Sequence, residues 1–242
     1  MRNPRETGGG SHAILIGKRA FALKFAQKPS HSPLPAQAAR VARAPAAARV
    51  PRAESRLPQV LDAAAAQFAA KGYQATSVRD IVSAVGMLPG SLYCHFANKD
   101  ELLAAVYAEG VRRIDRAVEV AVEGHVDAWQ RLEAACVAHL ESLLDDSAYA
   151  KVVVSVGPGG APALAPTLRR LRGAYEQRFV GLIDALPLPA RTSRPMLRLM
   201  LLGALNWSPT WYRADHSAGR SPRQVARSFV RLLRQPLQEL PP

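Results

Sequence analysis

The side chains best suited to chemistry lie close together in residues 76–103, which read TSVRDIVSAVGMLPGSLYCHFANKDELL. Ser91, Tyr93 and His95 offer hydroxyl and imidazole groups directly after Gly90. Such groups hydrogen-bond to phosphate oxygens and base edges, and a glycine beside them lets the backbone come close to a partner. The chemistry that this spacing predicts is non-covalent recognition of DNA.

Three helical segments and a turn must position these groups. A first helix is predicted from Ser55 to Gly72, because apolar residues recur at helical spacing and glycine commonly ends a helix. Thr76 is the predicted N-cap of a second helix, and Gly86 supplies the turn after it. The third helix is predicted over residues 89–96. A helix, a turn and a second helix can place the last of these helices in a major groove.

Eight residues of this unit are predicted to contact DNA: Thr76, Ser77, Pro89, Gly90, Ser91, Tyr93, His95 and Lys99. Polar groups on the third helix are expected to donate to phosphates, and Ser91 also to meet a base edge. Lys99 begins a fourth helix, where its charge and the free backbone N–H groups can bind one phosphate together. Thr76 and Ser77 are expected to act in the same way at the second helix.

This segment resembles the DNA-binding domain of the TetR/AcrR family of transcriptional regulators, from the first helix into the fourth. The residues that carry the resemblance are Thr76, Arg79, Ile81, Gly86, Gly90, Leu92-Tyr93, His95-Phe96 and Asn98-Lys99. Two positions depart from the family pattern: Leu88 stands where a serine or threonine often caps the recognition helix, and Cys94 replaces a polar or aromatic residue.

The resemblance implies a homodimer that binds a pseudo-palindromic operator, usually as a repressor, and a C-terminal helical domain that binds a small effector. It also implies that Pro89, Gly90 and Ser91 lie nearest the bases. The other predicted contacts would then hold the DNA backbone. The implied fold class is all-α, with an N-terminal three-helix helix-turn-helix domain and a C-terminal helical-bundle domain for effector binding and dimerisation.

The domain boundaries predicted on this basis are residues 1–54 for a disordered basic extension, 55–100 for the DNA-binding domain and 101–238 for the effector and dimerisation domain. Candidate effector-binding residues are Trp129, His139, Trp207, Trp211 and Arg213. Trp207 and Trp211 share a helix face and suit either a pocket wall or a dimer interface. Residues 196–207 are apolar nearly all round, so their helix is predicted to be buried on several sides.

The segment around residues 202–213 resembles the end of the bundle in family members that respond to acyl-CoA thioesters. An acyl-CoA-type effector is therefore one expectation for the C-terminal half. The same segment also suits dimer packing, which leaves the ligand class open.

Charge favours an anionic partner but is unevenly distributed. The chain carries 32 Lys and Arg against 19 Asp and Glu, a formal net charge of +13. Ten of the basic residues lie in residues 1–55, with only two acidic ones. This extension is either a basic arm that adds phosphate contacts or a dispensable segment. A rival function follows from it: a basic architectural DNA-binding or membrane-associated protein that acts through its N-terminal tail.

Other function classes find little support in the sequence. Cys94 and Cys136 form neither a disulfide framework nor a zinc pattern, and the histidines show no metal or triad spacing. No apolar run approaches the roughly 20 residues of a membrane span. We therefore expect a cytoplasmic regulator that binds double-stranded DNA, with no catalytic residues, no metal, no cofactor and no membrane partner.

Overall fold

The computed structural model describes residues 14–15, 20–21, 56–156, 161–213 and 219–239. Those residues form nine α-helices: α1 Leu57–Ala75, α2 Val78–Ala84, α3 Pro89–Tyr93, α4 Lys99–Val122, α5 Ala128–Leu143, α6 Ala148–Ser155, α7 Ala165–Asp184, α8 Arg194–Trp211 and α9 Pro222–Glu239. A short 3-10 helix, Pro162–Leu164, precedes α7. The all-α fold class is thereby confirmed.

The β-structure in the described residues is one two-residue ladder. Strands β1 Ile14–Leu15 and β2 Ala20–Phe21 pair antiparallel, with Ile14 opposite Phe21. The remainder of the predicted extension over residues 1–54 lies outside the described residues, so its predicted disorder and its role stay predictions.

Helices α1 to α3 form a small head whose apolar faces meet in one core. Phe68 of α1, Ile81 of α2 and Leu92 of α3 are buried in it, and Phe96 joins them just after α3. Leu92 and Phe96, four positions apart, thus both face the core. The third helix ends earlier than predicted, at Tyr93, because Cys94 adopts the C-cap position.

The junction between α1 and α2 agrees with one predicted boundary and corrects another. Gly72 has a positive φ of 79° and a non-helical backbone, so the regular helix is broken there as predicted, and a short helical segment continues α1 to Ala75 beyond this kink. Ser77, not Thr76, caps α2: its hydroxyl accepts from the Asp80 N–H, and the Asp80 carboxylate accepts from the Ser77 N–H. This reciprocal pair is a capping box, and the acidic residue three positions after Ser77 is its signal in the sequence.

Helix α4 joins the head to the body, which comprises α5 to α9. Its N-cap is Asn98, whose side chain accepts from the Glu101 N–H at 2.8 Å. The helix packs on α1 and also on α5, α6 and α7. In the body, α5 is the central helix and contacts α6, α7, α8 and α9. Helix α4 therefore contacts both parts of the molecule.

Helix α8 differs from its predicted burial on several sides. Leu197, Leu201 and Leu205 are buried against the body. The opposite face is apolar and exposed, and we call it the α8 stripe: Met196, Leu199, Met200, Trp207 and Trp211. Composition alone could not separate a helix buried within its own chain from one with an uncovered apolar face. No helix in the described part of the chain is long and apolar enough to cross a membrane.

Candidate nucleic-acid interface

The surface of α3 presents most of the predicted contact residues to solvent. Gly90 and Tyr93 are exposed, and Pro89 and Ser91 are partly exposed. Buried Leu92 anchors the opposite side of the same helix. A helix with one apolar anchor and a polar, small-residue outer surface is suited to approach a groove of DNA. We call this outer surface the α3 rim, residues 88–95.

Gly90 stands in open space. It does not need a positive φ, and a Cβ built on it would meet no protein atom within 4 Å. Neither backbone conformation nor internal packing therefore requires glycine at this position. The remaining physical reason for it is the close approach of an external partner to the α3 backbone.

The imidazole of His95 is less available to DNA than the sequence suggested. It is only partly exposed, and its Nε2 atom is buried without a hydrogen-bond partner among the described residues. A contact from this imidazole to a phosphate would therefore come from the other ring nitrogen, Nδ1. Tyr93 is 49% exposed, so its hydroxyl is more freely available.

Thr76 does not fit its predicted role. Its side chain is buried, and its hydroxyl donates to the backbone carbonyls of Gly72 at 2.8 Å and Gln67 at 3.1 Å. The hydroxyl closes the end of α1, where carbonyls lack helical partners, instead of facing a phosphate. Ser77 is exposed, but its hydroxyl is engaged in the capping box.

Lys99 is also used inside the head. Its ammonium donates to the carbonyls of Tyr73 at 2.8 Å, Thr76 at 3.0 Å and Gln74 at 3.4 Å. The same nitrogen lies 4.3 Å from the centroid of the Tyr73 ring. The predicted phosphate contact of this side chain is therefore replaced by a clamp on the C-terminus of α1. Any contact by residue 99 with DNA is left to its backbone.

Tyr73 completes this clamp, and sequence reasoning missed it. Its hydroxyl donates to the Asp100 carboxylate. Burial, together with that hydrogen bond and the nearby negative charge, raises the pKa of Tyr73 to about 12. The tyrosine therefore stays neutral and can serve as a donor at neutral pH. The partners are 27 positions apart, so no local pattern announces their contact.

Leu88 is the second residue that sequence reasoning undervalued. It precedes Pro89 and has no capping hydrogen bond, as expected, but its side chain is 76% exposed. A bulky aliphatic group beside the α3 rim offers apolar contact, which the methyl group of thymine can accept in a major groove. The signal in the sequence was the apolar residue immediately before the first helical proline.

A hydrogen-bonded network ties the head to the body. The Tyr149 hydroxyl of α6 donates to the Asp62 carboxylate of α1 at 2.9 Å. The Arg113 guanidinium of α4 lies 3.8 Å from the centroid of the Tyr149 ring and 3.4 Å from the Asp62 carboxylate. Burial, then the hydrogen bond to Asp62, raises the pKa of Tyr149, which remains a donor. Three helices thus meet in one polar junction.

The predicted effector residues do not converge on one place. Trp129 and His139 are both buried on α5, but ten residues of helix separate them by about 15 Å. Trp207 is 66% exposed on the α8 stripe. Trp211 lies 6.4 Å from Phe229 of α9, measured between ring centroids. The Arg213 guanidinium donates to the Tyr212 carbonyl at 2.9 Å.

His139 forms a buried polar cluster in the body core. Its Nδ1 lies 2.8 Å from the Tyr175 hydroxyl, and its Nε2 lies 3.1 Å from the Asn206 side-chain oxygen. Burial lowers the pKa of His139 to about 4, and the hydrogen bond with Asn206 offsets only part of that shift. The imidazole is therefore neutral at neutral pH, and its partners satisfy it within the bundle.

A largely apolar groove of about 770 Å³ lies between α4, α5 and α6. Its apolar lining includes Ile114, Val120 and Ala138, while Arg113 and Tyr149 belong to both the groove and the head–body junction. Within the described ranges, no group of three or more His, Cys, Asp or Glu side chains is arranged to hold a metal ion. The arrangement suits non-covalent binding.

Comparison with known proteins agrees with this architecture. Residues 60–106 match the model described as bacterial regulatory proteins, tetR family, and residues 125–237 match a tetracyclin repressor-like C-terminal domain. The chain is 33% identical over 132 residues to the HTH-type transcriptional repressor KstR2 of Mycobacterium tuberculosis. That alignment covers 54% of this chain and 65% of the relative, which is less than two thirds of its length.

Two solved structures show the same fold. The TetR family regulator PfmR from Thermus thermophilus is 25% identical, with a TM-score of 0.58, over 76% of this chain and 100% of that one. AibR, solved with isovaleryl coenzyme A and operator DNA, is 20% identical, with a TM-score of 0.59, over 73% of this chain and 97% of that one. Regulators, not enzymes, make up this group. From its head, its body and both family matches, the chain belongs to the TetR family of bacterial regulatory proteins.

Proposed function

We propose that this chain is a ligand-responsive transcriptional repressor that binds a pseudo-palindromic operator as a homodimer in the cytoplasm. The observation that carries the proposal is the α3 rim: an exposed Gly90 and Tyr93 held on a helix that buried Leu92 anchors. Pro89, Gly90 and Ser91 lie nearest the bases, with Leu88 adding apolar contact. Tyr93, His95 and the backbone at Ser77 and Lys99 hold the phosphates.

The α8 stripe supports the dimer. Its five large apolar side chains lie along one face of a helix that is otherwise packed against the body. Contiguous exposed apolar surface on a water-soluble domain commonly marks an interaction site. A second copy of the chain would cover this surface by two-fold symmetry. We therefore assign Trp207 and Trp211 to the dimer interface in preference to a ligand pocket.

The α4–α5–α6 groove supports ligand control. It shares Arg113 and Tyr149 with the junction that holds Asp62 of the head. A ligand in the groove would move α4 and α6, and so the head. The two recognition helices of the dimer would then leave the separation of about 34–36 Å that successive major grooves require. Near-complete release needs a preference of about 5.5 kcal/mol for the released state.

An acyl-CoA thioester is the effector class that we propose to test first. AibR, which shares the fold, was solved with isovaleryl coenzyme A and operator DNA. The groove between α4, α5 and α6 is mostly apolar, and its charged lining holds Arg113 and Arg116 together with Glu141 and Asp145. An apolar acyl chain matches the apolar part of this lining.

Binding of the full chain to its gene's own upstream DNA tests the function. Fluorescence anisotropy with labelled DNA, in excess unrelated competitor, should show saturable binding at nanomolar to submicromolar protein. Acyl-CoA species should raise the apparent Kd. Tyr93→Phe should weaken binding to all sequences, whereas Ser91→Ala should change the preference among operator variants. Sequence-independent binding, unaffected by either substitution, would contradict the proposal.

Removing residues 1–54 separates this function from that of a basic protein acting through its tail. A repressor should retain sequence-specific binding. Its salt dependence would fall by about one unit of slope for each phosphate contact that the tail had made. A tail-driven DNA or membrane binder would instead lose nearly all affinity for its anionic partner.

A further inference from the structure

A second groove, distinct from the one beside the head, lies between the start of α5 and α9. It has a volume of about 570 Å³ and is lined by Trp129, Glu133, Arg220, Arg227, Arg231 and Arg234, among others. Small-molecule sites typically occupy about 300–1,000 Å³. The groove is thus large enough for a small organic ligand.

Its charge is strongly one-sided. Glu133 is the acidic side chain in the lining, and it is paired with Arg227 at 3.1 Å. Among the described residues, Arg220 and Arg231 have no carboxylate partner. The Arg234 guanidinium lies over the Trp129 ring, 5.8 Å from its centroid. Three guanidinium groups therefore border one cavity without a protein anion to neutralise them.

The Trp129 side chain adds an unsatisfied donor at the same place. The residue is only 3% exposed, and its Nε1 is buried without a hydrogen-bond partner in the described part of the chain. Buried indole N–H groups normally find an acceptor. An acceptor brought by a ligand into this groove would supply one.

From these observations we propose that the α5–α9 groove binds a phosphate ester or diphosphate. A single carboxylate is matched by one bidentate arginine, but three guanidinium forks match the several anionic oxygens of linked phosphates. The site is separate from the α3 rim and from the apolar groove at the head. Its occupancy can therefore be measured in the absence of DNA.

Isothermal titration of the full chain in low salt, without DNA, tests the site. Inorganic pyrophosphate, ADP and coenzyme A are the three probes, so that the phosphate itself, a nucleotide and a thioester carrier are distinguished. We expect saturable binding of at least one probe in the submillimolar range, which identifies the source of the phosphate. Arg231→Gln combined with Arg234→Gln should weaken it by at least about tenfold, as expected for charge-assisted hydrogen bonds.

The matched control is Arg169→Gln combined with Arg170→Gln, which removes the same two charges from exposed α7 surface outside the groove. It should leave the affinity within about twofold. Trp129→Phe keeps the ring and removes the N–H, and should weaken binding in protein whose thermal unfolding is unchanged. If Trp129→Phe unfolds, the variant of Arg231 and Arg234 still tests the site, because these two arginines are exposed and their loss should not unfold the protein. The site would be overturned if no probe showed saturable binding up to about 10 mM, roughly ten times the upper end of the expected range. It would also be overturned if the Arg231 and Arg234 variant bound as tightly as the control.

Discussion

At Gly90, stability and binding can be separated by one methyl group. A Cβ there meets nothing in the protein, and alanine is a better helix former than glycine by up to about 1 kcal/mol. Gly90→Ala should therefore unfold at the same or a slightly higher temperature, yet bind operator DNA at least about tenfold more weakly, because the methyl group separates the α3 backbone from the bases. Calorimetry and anisotropy measure the two quantities. Unchanged affinity would remove Gly90 from the interface.

Lys99 should act on stability more than on DNA. Lys99→Met keeps the aliphatic stem and leaves two α1 carbonyls and that of its C-cap, Thr76, without their charged donor. We expect a loss of about 1–3 kcal/mol in the free energy of unfolding and an unchanged slope of operator affinity against salt. Lys71→Met, which removes only an exposed pair at 3.9 Å from Asp80, should cost less than about 1 kcal/mol. If Lys99→Met instead lowered the slope of operator affinity against salt and left the free energy of unfolding unchanged, Lys99 would contact a phosphate as the sequence predicted.

His139 should make stability depend on pH below neutrality. Its pKa falls from 6.5 to about 4 on folding, so the unfolded chain binds more protons between these values. Its stabilising contribution is complete above pH 6.5 and is lost progressively as the pH falls toward 4. The loss by pH 4.5 is about 2–3 kcal/mol. Urea unfolding at pH 7.5 and 4.5 should show a smaller pH effect in His139→Gln, and equal effects in both proteins would contradict this assignment.

At the scale of helices, the close contact of α4 and α6 holds the head–body junction together. A Cβ at Gly110 would lie 2.6 Å from Cγ2 of Val153 and 3.3 Å from the Tyr149 carbonyl oxygen. Gly110→Ala should therefore force the two helices apart and cost about 1–3 kcal/mol, measured by chemical denaturation. Gly181→Ala in α7, where a Cβ meets nothing, is the matched control and should be neutral or stabilising by up to about 1 kcal/mol. Equal effects of the two substitutions would show that α4 and α6 are not in tight contact.

At the scale of the whole molecule, the α8 stripe should determine the oligomeric state. Leu199→Glu with Trp207→Glu places two charges on the proposed interface, and sedimentation should then show monomers. Operator affinity should fall by about 10²–10⁴, since the second half-site loses its effective concentration. Val126→Glu, at an exposed apolar position in the loop between α4 and α5, is the control and should leave the dimer intact. A dimeric double variant would place the interface elsewhere.

Much of the head followed from the sequence by itself. Gly86 was assigned to the turn and Lys99 to the start of the fourth helix, because each assignment depends on residues close together in the chain. The α3 rim was located for the same reason. Where a local choice failed, as with Thr76 and Ser77, the deciding hydrogen bonds came from Gln67, Gly72 and Asp80.

Only the tertiary structure decided which distant surfaces meet. The ammonium of Lys99 found carbonyls 23 to 26 positions away, and Tyr149 reached Asp62 across 87 positions. The same applies to α8, whose apolar residues read as buried from composition but lie partly uncovered. Helical periodicity encodes a face and a cap within one or two turns, whereas the partner of that face depends on how whole helices pack, which no local pattern contains.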